Sequence, residues 1–198
     1  IYNGEGEFTD KGTTLCVSGG FTYSSGYTYK YDEDRNICTI KYDGAGNKLW
    51  TKTFNGSKSD TDEPSDIAAD GLGSIYVAGK TKNIENNYDM QIIKYNDAGD
   101  TIWTRTFDNG VLGDDEINAM VVDALGNVYV TGVSDDDAST AENNNFMTVK
   151  YNSAGTLQWA SPYNGSGNAD DRAYSIALDA TNNAFVTGRS WSGTSYNI

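Results

Sequence analysis

Asp123–Gly132, DALGNVYVTG, joins an Asp-led turn that reaches glycine three residues on to an alternating run suited to a β-strand. Asp70–Gly79 (DGLGSIYVAG) and Asp179–Gly188 (DATNNAFVTG) repeat it closely, and Asp10–Gly19 (DKGTTLCVSG) more loosely. A strand-turn-strand unit returning at long, regular intervals signals a repeat architecture. Asn182 stands where two of the copies have glycine, as the commonest substitute at positive φ, whereas Thr13 is a poorer fit.

A second device follows each unit. ICTIKYDGAGNKLWTKTF from Ile37 returns as MQIIKYNDAGDTIWTRTF from Met90 and MTVKYNSAGTLQWASPY from Met147. Lys41, Lys94 and Lys150 stand five residues before Gly46, Gly99 and Gly155, and Trp50, Trp103 and Trp159 stand four after them. Each turn opens with Asp or Asn and reaches glycine three residues later, which suits a type I turn closing into a bulge. The Trp spacings are 53 and 56 residues. Four strands per such unit, with one Trp near the start of the fourth, predict an all-β β-propeller of four-stranded antiparallel blades. The repeats run approximately over residues 2–53, 54–106, 107–162 and 163–198 as a single domain, the last one incomplete.

Composition narrows the function. The net charge is −14 with no histidine, which argues against nucleic acid and anionic membrane surfaces. No apolar run approaches the ~18 residues of a membrane span. Aligned on the repeat, Cys16 and Cys38 fall where Tyr76 and Gln91 fall, on strands expected to be antiparallel neighbours, so a cross-strand disulfide and two buried thiols are both open. A bridge would favour an oxidising compartment. Tyr27, Tyr29 and Tyr31 alternate in FTYSSGYTYKYDEDRN, read as an insertion unique to the first repeat. They form either a hairpin packed on its neighbour or an aromatic platform for sugar or protein.

In such blades the first-to-second and third-to-fourth turns share one face, and the longer connections share the other. The first face gets short, uniform turns led by residues such as Asp70, Asp123 and Asp179; the second gets every variable, acidic or tyrosine-rich loop, where function is expected. Asp62, Asp115 and Asp171 stand eight residues before the turn Asp, beside Glu63, Glu116 and Asp170. They are expected to ring the mouth of the central channel, as solvated carboxylates, loop caps or oxygen ligands for Ca²⁺, although no spaced calcium-loop motif is present. The repeated tryptophans read as blade-to-blade core. The repeated lysines, within otherwise packed strands, are expected to pair with a carboxylate at the turn face such as Asp70 or Asp123.

The DxxGNxYVxG core, the IKY strand and the Gly-x-x-x-Trp turn together resemble the bacterial SBBP-type β-propeller repeat over essentially the whole chain. That resemblance implies a secreted or cell-surface setting and a binding or scaffold role without defined catalytic residues. The Gly-x-x-x-Trp turn is also similar to the tryptophan-docking turns of quinoprotein dehydrogenases, but nothing marks a quinone site. The resulting expectation is a non-catalytic module using its acidic, tyrosine-rich face to engage protein, glycan or cation, with no cofactor unless Ca²⁺. The alternatives are a structural subunit of a surface assembly or filament, and a glycan-active enzyme built on paired carboxylates. Ile198 matches Ile37 and Ile1 matches Thr53, so the third and fourth strands of one blade are missing from the count. The chain is therefore expected to be a segment of a larger propeller, or to complete its ring or extend into an open assembly by self-association.

Overall fold

In the computed structural model, which describes residues 10–30, 33–58, 60–110, 113–135, 144–167 and 169–198, every regular element is a β-strand. The first sheet is β1 (Lys11–Ser18), β2 (Phe21–Lys30), β3 (Glu33–Tyr42) and β4 (Lys48–Phe54). The second is β5 (Asp62–Ala69), β6 (Ile75–Lys82), β7 (Tyr88–Tyr95) and β8 (Thr101–Phe107). The third is β9 (Asp115–Val122), β10 (Val128–Asp135), β11 (Asn144–Tyr151) and β12 (Leu157–Tyr163). The fourth has three strands, β13 (Arg172–Leu178), β14 (Ala184–Trp191) and the short β15 (Tyr196–Asn197). Within each sheet the strands pair antiparallel in sequence order, and the sheets do not close into a ring. This is the four-sheet, all-β propeller-type architecture that the repeats predict.

Side-chain alternation explains the stacking, because each strand sends successive residues to opposite faces. In the second sheet Ile75, Val77, Ile93 and Tyr95 face the first sheet, where they meet Tyr23 and Ile37, flanked by Cys16, Trp50 and Phe54. Tyr76, Ala78, Met90 and Ile92 face the third sheet and meet Met120, Val130, Val149 and Tyr151. Covered on both faces, β6, β7 and β10 are almost continuously buried, as their apolar runs require. Each such aliphatic side chain contributes roughly 1.5–3 kcal/mol by burial. β5 lies against both β1 and β9, and β9 against β13, so the first strands are innermost; β12 lies at the exposed outer edge.

The first sheet departs from the expected alignment. Asp10 does not lead a turn; it immediately precedes β1, and KGTTLCVS is the first strand of its sheet. The β1–β2 connection is a two-residue hairpin, Gly19-Gly20, with Ser18 opposite Phe21 and φ of 57° and 83°. Two successive positive φ values define the type I′ turn that fits strand twist, and glycine adopts them without steric cost. This short turn replaces the Asp-led loop of the other sheets, so DKGT matched the pattern by accident. Tyr23, Tyr76 and Tyr129 are the equivalent residues, and so are Gly26, Gly79, Gly132 and Gly188. A Cβ on each of these glycines would lie 1.9–2.0 Å from a carbonyl oxygen of the adjacent first strand. The tyrosine stretch is therefore no insertion: Gly26 to Lys41 spans 15 residues, as does Gly79 to Lys94. Cys16 and Cys38 lie on β1 and β3 with β2 between them, and both are thiols rather than a disulfide.

Candidate functional site

On the short-turn face each leading residue binds its own loop. Asp70 Oδ1 accepts from the amides of Leu72 (2.7 Å) and Ser74 (3.0 Å). Asp123 does the same for Leu125 and Asn127, and Asp179 for Thr181 and Asn183. Gly73, Gly126 and Asn182 take positive φ at the fourth position. These hydrogen bonds hold the Asp179 carboxyl down at about 2, with the Asn183 side chain and amide contributing most. The carboxylates of Asp70, Asp123 and Asp179 are thus engaged by their own turns.

Here a cross-sheet clasp also appears. Trp50 Nε1 donates to the Asp97 carbonyl (3.0 Å), and Lys41 Nζ donates to the same carbonyl (3.2 Å) and to the Asp97 carboxylate. Trp103 Nε1 and Lys94 Nζ likewise both donate to the Ser153 carbonyl, at 3.2 and 3.0 Å. Asp97 and Ser153 follow the first residue of the β7–β8 and β11–β12 turns, so the first and second sheets each grip the turn backbone of the sheet that follows. Among the described residues the expected lysine-carboxylate pair thus occurs only for Lys41, and with Asp97 of the next sheet. Lys94 finds a carbonyl because serine occupies the turn position, and Lys150 lies 4.7 Å from the centre of the Tyr129 ring. Trp103 is 7% exposed and Trp50 half-buried, but Trp159 is 37% exposed. The reason is local: Trp50 and Trp103 lie over Gly99 and Gly155 of the following sheet, whereas no such turn among the described residues covers Trp159.

On the long-loop face, Asp62, Asp115 and Asp171 are buried at the entrances of the inner strands, at 1%, 1% and 0% exposure. Each binds the backbone amide six residues earlier: Gly56 to Asp62 at 2.7 Å, Asn109 to Asp115 at 2.9 Å, and Gly165 to Asp171 at 2.6 Å. The other oxygen of Asp62 accepts from the Thr81 hydroxyl at 2.5 Å, and that of Asp171 from the Trp191 amide at 2.8 Å. Asp10 is the fourth member of this set, accepting from Thr28, the counterpart of Thr81, at 2.5 Å. These carboxylates are loop anchors rather than an open ring of ligands. Their neighbours are also engaged. Glu63 pairs with Arg35 of the first sheet, and Glu116 with Lys80 of the second at 2.6 Å. Asp170 pairs with Arg172 at 3.0 Å and with Arg189. Among the described residues no group of three or more Cys, Asp or Glu is arranged to hold a metal ion.

Tyr27 and Tyr29 are half-buried on β2, edge to face at 5.9 Å, with Arg35 4.9 Å from the Tyr27 centroid and donating to the Tyr29 hydroxyl at 2.8 Å. Their rings already pack on a guanidinium, so they do not form the open platform considered from sequence; Tyr31 lies outside the described residues. What sequence reasoning missed is a cluster of carboxylates at the β6–β7 and β8–β9 loops. Burial, followed by repulsion from Asp108, Glu85 and Asp114, pushes the Asp89 carboxyl up to about 6. Burial, with smaller contributions from Asp108 and Asp89, likewise pushes Asp115 up to about 6. Glu85, Asp108 and Asp114 are exposed. The β6–β7 loop differs in length and sequence between repeats and the β8–β9 loop in sequence, so no repeated signal marked the pair.

No curated protein matches this chain. Among solved structures, a protein of unknown function from Bacteroides caccae is 15% identical, with a TM-score of 0.49; the match covers 91% of this chain and 54% of that one. A eukaryotic initiation factor is 10% identical with a TM-score of 0.50, over 86% of this chain and 36% of that one, a likeness of fold alone. This chain thus spans about half the length of the first and about a third of the second. Residues 50–89, from the fourth strand of the first sheet to the third strand of the second, match the family model SBBP, a beta-propeller repeat.

Proposed function

We propose that this chain is a non-catalytic binding module that presents the acidic loops between β6 and β7 and between β8 and β9 to a cationic protein surface. The observation that carries this reading is the division of labour among carboxylates. The repeated ones, Asp62, Asp115 and Asp171, anchor loops, whereas the exposed Glu85, Asp108 and Asp114 belong to loops that vary between sheets. Variable charged loops on a rigid scaffold are where recognition is placed, and a chain of net charge −14 attracts basic partners at long range. No matching family model is catalytic, and the paired carboxylates an enzyme reading needs are tied into ion pairs and loop amides. A secreted or surface setting rests on the resemblance to SBBP repeats. Binding of a basic probe protein such as lysozyme, measured by surface plasmon resonance over a salt series, tests the proposal. The combined variant Glu85→Gln, Asp108→Asn and Asp114→Asn should lose most of the salt-sensitive binding. Unchanged binding would refute the reading, and a hit on a glycan array or a calcium-induced rise in melting temperature would replace it.

A further inference from the structure

On the long-loop face a basic side chain bridges the inner strands of adjoining sheets twice. Arg35 of the first sheet reaches Glu63 of the second, and Lys80 of the second reaches Glu116 of the third at 2.6 Å. Between the third and fourth sheets this bridge is missing. Val133 stands where Lys80 does, each directly after the strand glycine, and Arg172 stands where Glu63 and Glu116 do. A cleft of about 330 Å³ opens there instead, lined by Asn87, Asp114, Glu116, Val133, Asp135 and Arg172. Its walls carry unused polar atoms of both signs. Asn87 Oδ1 is buried without a hydrogen-bond partner. Asp114 accepts the Tyr88 amide through Oδ1 (2.8 Å) and Glu116 accepts Lys80 through Oε1, which leaves the second oxygen of each unpaired among the described residues. Arg172 uses only Nε on Asp170, at 3.0 and 3.2 Å, and both of its terminal nitrogens lack a partner there. Glu116 and Arg172 carry opposite charges at one cleft yet form no ion pair with each other. They are held apart by the backbone. The Asp171 amide donates to the Asn144 carbonyl (2.6 Å) and Asn118 Nδ2 to the Ala173 carbonyl (2.7 Å), which fixes the chain on either side of Arg172 to the third sheet. On the opposite wall Asn87 Nδ2 donates to the Gly113 carbonyl, and the Asp135 amide to the Asp114 carbonyl, both at 3.1 Å.

We propose that this cleft binds a free α-amino acid with a small apolar side chain, its ammonium held by Asn87, Asp114 and Glu116 and its carboxylate by Arg172. A pinned cleft of this size, with a few convergent polar groups, is the form that small-molecule sites take. Because folding has already fixed its walls, binding carries little further ordering cost. The two terminal nitrogens of Arg172 form the fork that receives a carboxylate bidentately, and an ammonium satisfies several oxygens at once. Val133, 3% exposed and the one apolar side chain among the described lining residues, gives the aliphatic group its contact. Arg172 counts against a purely cationic occupant, such as a lysine of a protein partner, which it would repel.

The test titrates the intact 198-residue chain with L-valine, valine amide and N-acetylvaline, followed in ¹⁵N spectra. Valine should shift the Asn87 side-chain amide and the Gly113 and Asp114 backbone amides saturably, whereas valine amide, which lacks the carboxylate, and N-acetylvaline, which lacks the ammonium, should bind at least about tenfold more weakly. Arg172→Gln should weaken valine binding about tenfold and leave valine amide unaffected, because Asp170 keeps Arg189 as its partner. Asp114→Asn should weaken both, which gives a second reading should the first variant be unstable by circular dichroism. Valine amide binding as well as valine would overturn the proposal in favour of a basic side chain, and N-acetylvaline binding as well would overturn it in favour of an anion. No saturable shift with valine, or unchanged valine binding in either folded variant, would also overturn it. Lysozyme binding is a separate matter, since Arg172→Gln removes a cation and should not weaken it.

Discussion

At the scale of single residues, the turn glycines carry two unequal demands. Gly46, Gly99 and Gly155 share φ values of 84°, 83° and 77°. A Cβ at Gly46 would meet open space, but one at Gly99 would lie 2.9 Å from the Trp50 ring, and one at Gly155 would lie 3.0 Å from that of Trp103. Gly46→Ala should therefore cost only the backbone term, about 1 kcal/mol. Gly99→Ala should cost clearly more, on the order of 2–3 kcal/mol, because the Trp50 clasp must shift as well. Urea unfolding of the two variants checks the ordering, and equal losses would show that the Trp contact is weak. Lys94 makes a complementary case: its ammonium meets a carbonyl rather than a carboxylate, so Lys94→Met should change stability by no more than about 1 kcal/mol. The regular Gly-x-x-x-Trp spacing made these positions legible from sequence. Their partners were not, because the acceptor is a backbone carbonyl of the next sheet, and every residue type carries one.

At the scale of elements, the connections into β5, β9 and β13 are each held by one buried carboxylate that accepts from the backbone amide six residues earlier. Thr81→Val keeps the shape of β6 but strips the 2.5 Å donor from Asp62, leaving a buried oxygen short of a partner. A loss of about 1–3 kcal/mol is expected, with the Gly56 amide exchanging faster as its anchor loosens. The hairpin between β1 and β2 invites the opposite experiment. Gly19→Asn should be nearly neutral, since Asn-Gly suits a type I′ turn, whereas Gly20→Val should cost upwards of about 1 kcal/mol. The same hairpin explains the one misread sheet. A two-residue turn leaves no Asp-x-x-Gly imprint, and DKGTTLCVSG supplied a false one. A better guide was present, because Thr9-Asp10 and Thr61-Asp62 both follow an Asn-Gly pair at the same distance. Composition and periodicity disclose strands, but a changed turn length shifts the register in which they are counted.

At the scale of the whole molecule, the acidic loop face sets the response to pH. Asp89 and Asp115 titrate near 6 in the native state and near the ordinary carboxyl value when unfolded, so the native state holds their protons more tightly. Their stabilising contribution is complete below the unfolded value and is lost as pH rises through about 6. Asp97 and Asp123 are shifted downward, and their contribution is lost only as pH falls through their native values. Melting temperature should therefore rise from about pH 7.5 to about pH 5 and fall again below about pH 4. Asp115→Asn should flatten the upper limb; a profile that rises steadily from pH 5 to 7.5 would show these carboxyls to be ordinary. Much of the four-sheet plan was visible in the repeats, whereas the acidic cluster arises only where two unrelated loops meet in space. The clasp onto a neighbour's turn has a further consequence, for descent rather than for stability. Because Trp50 and Trp103 grip a peptide carbonyl and the bare face of a glycine, neither demands a particular side chain from the adjoining unit. A duplicated unit arriving by recombination would meet a fitting neighbour at once, without compensating substitutions, and its loops would be free to diverge from the first generation.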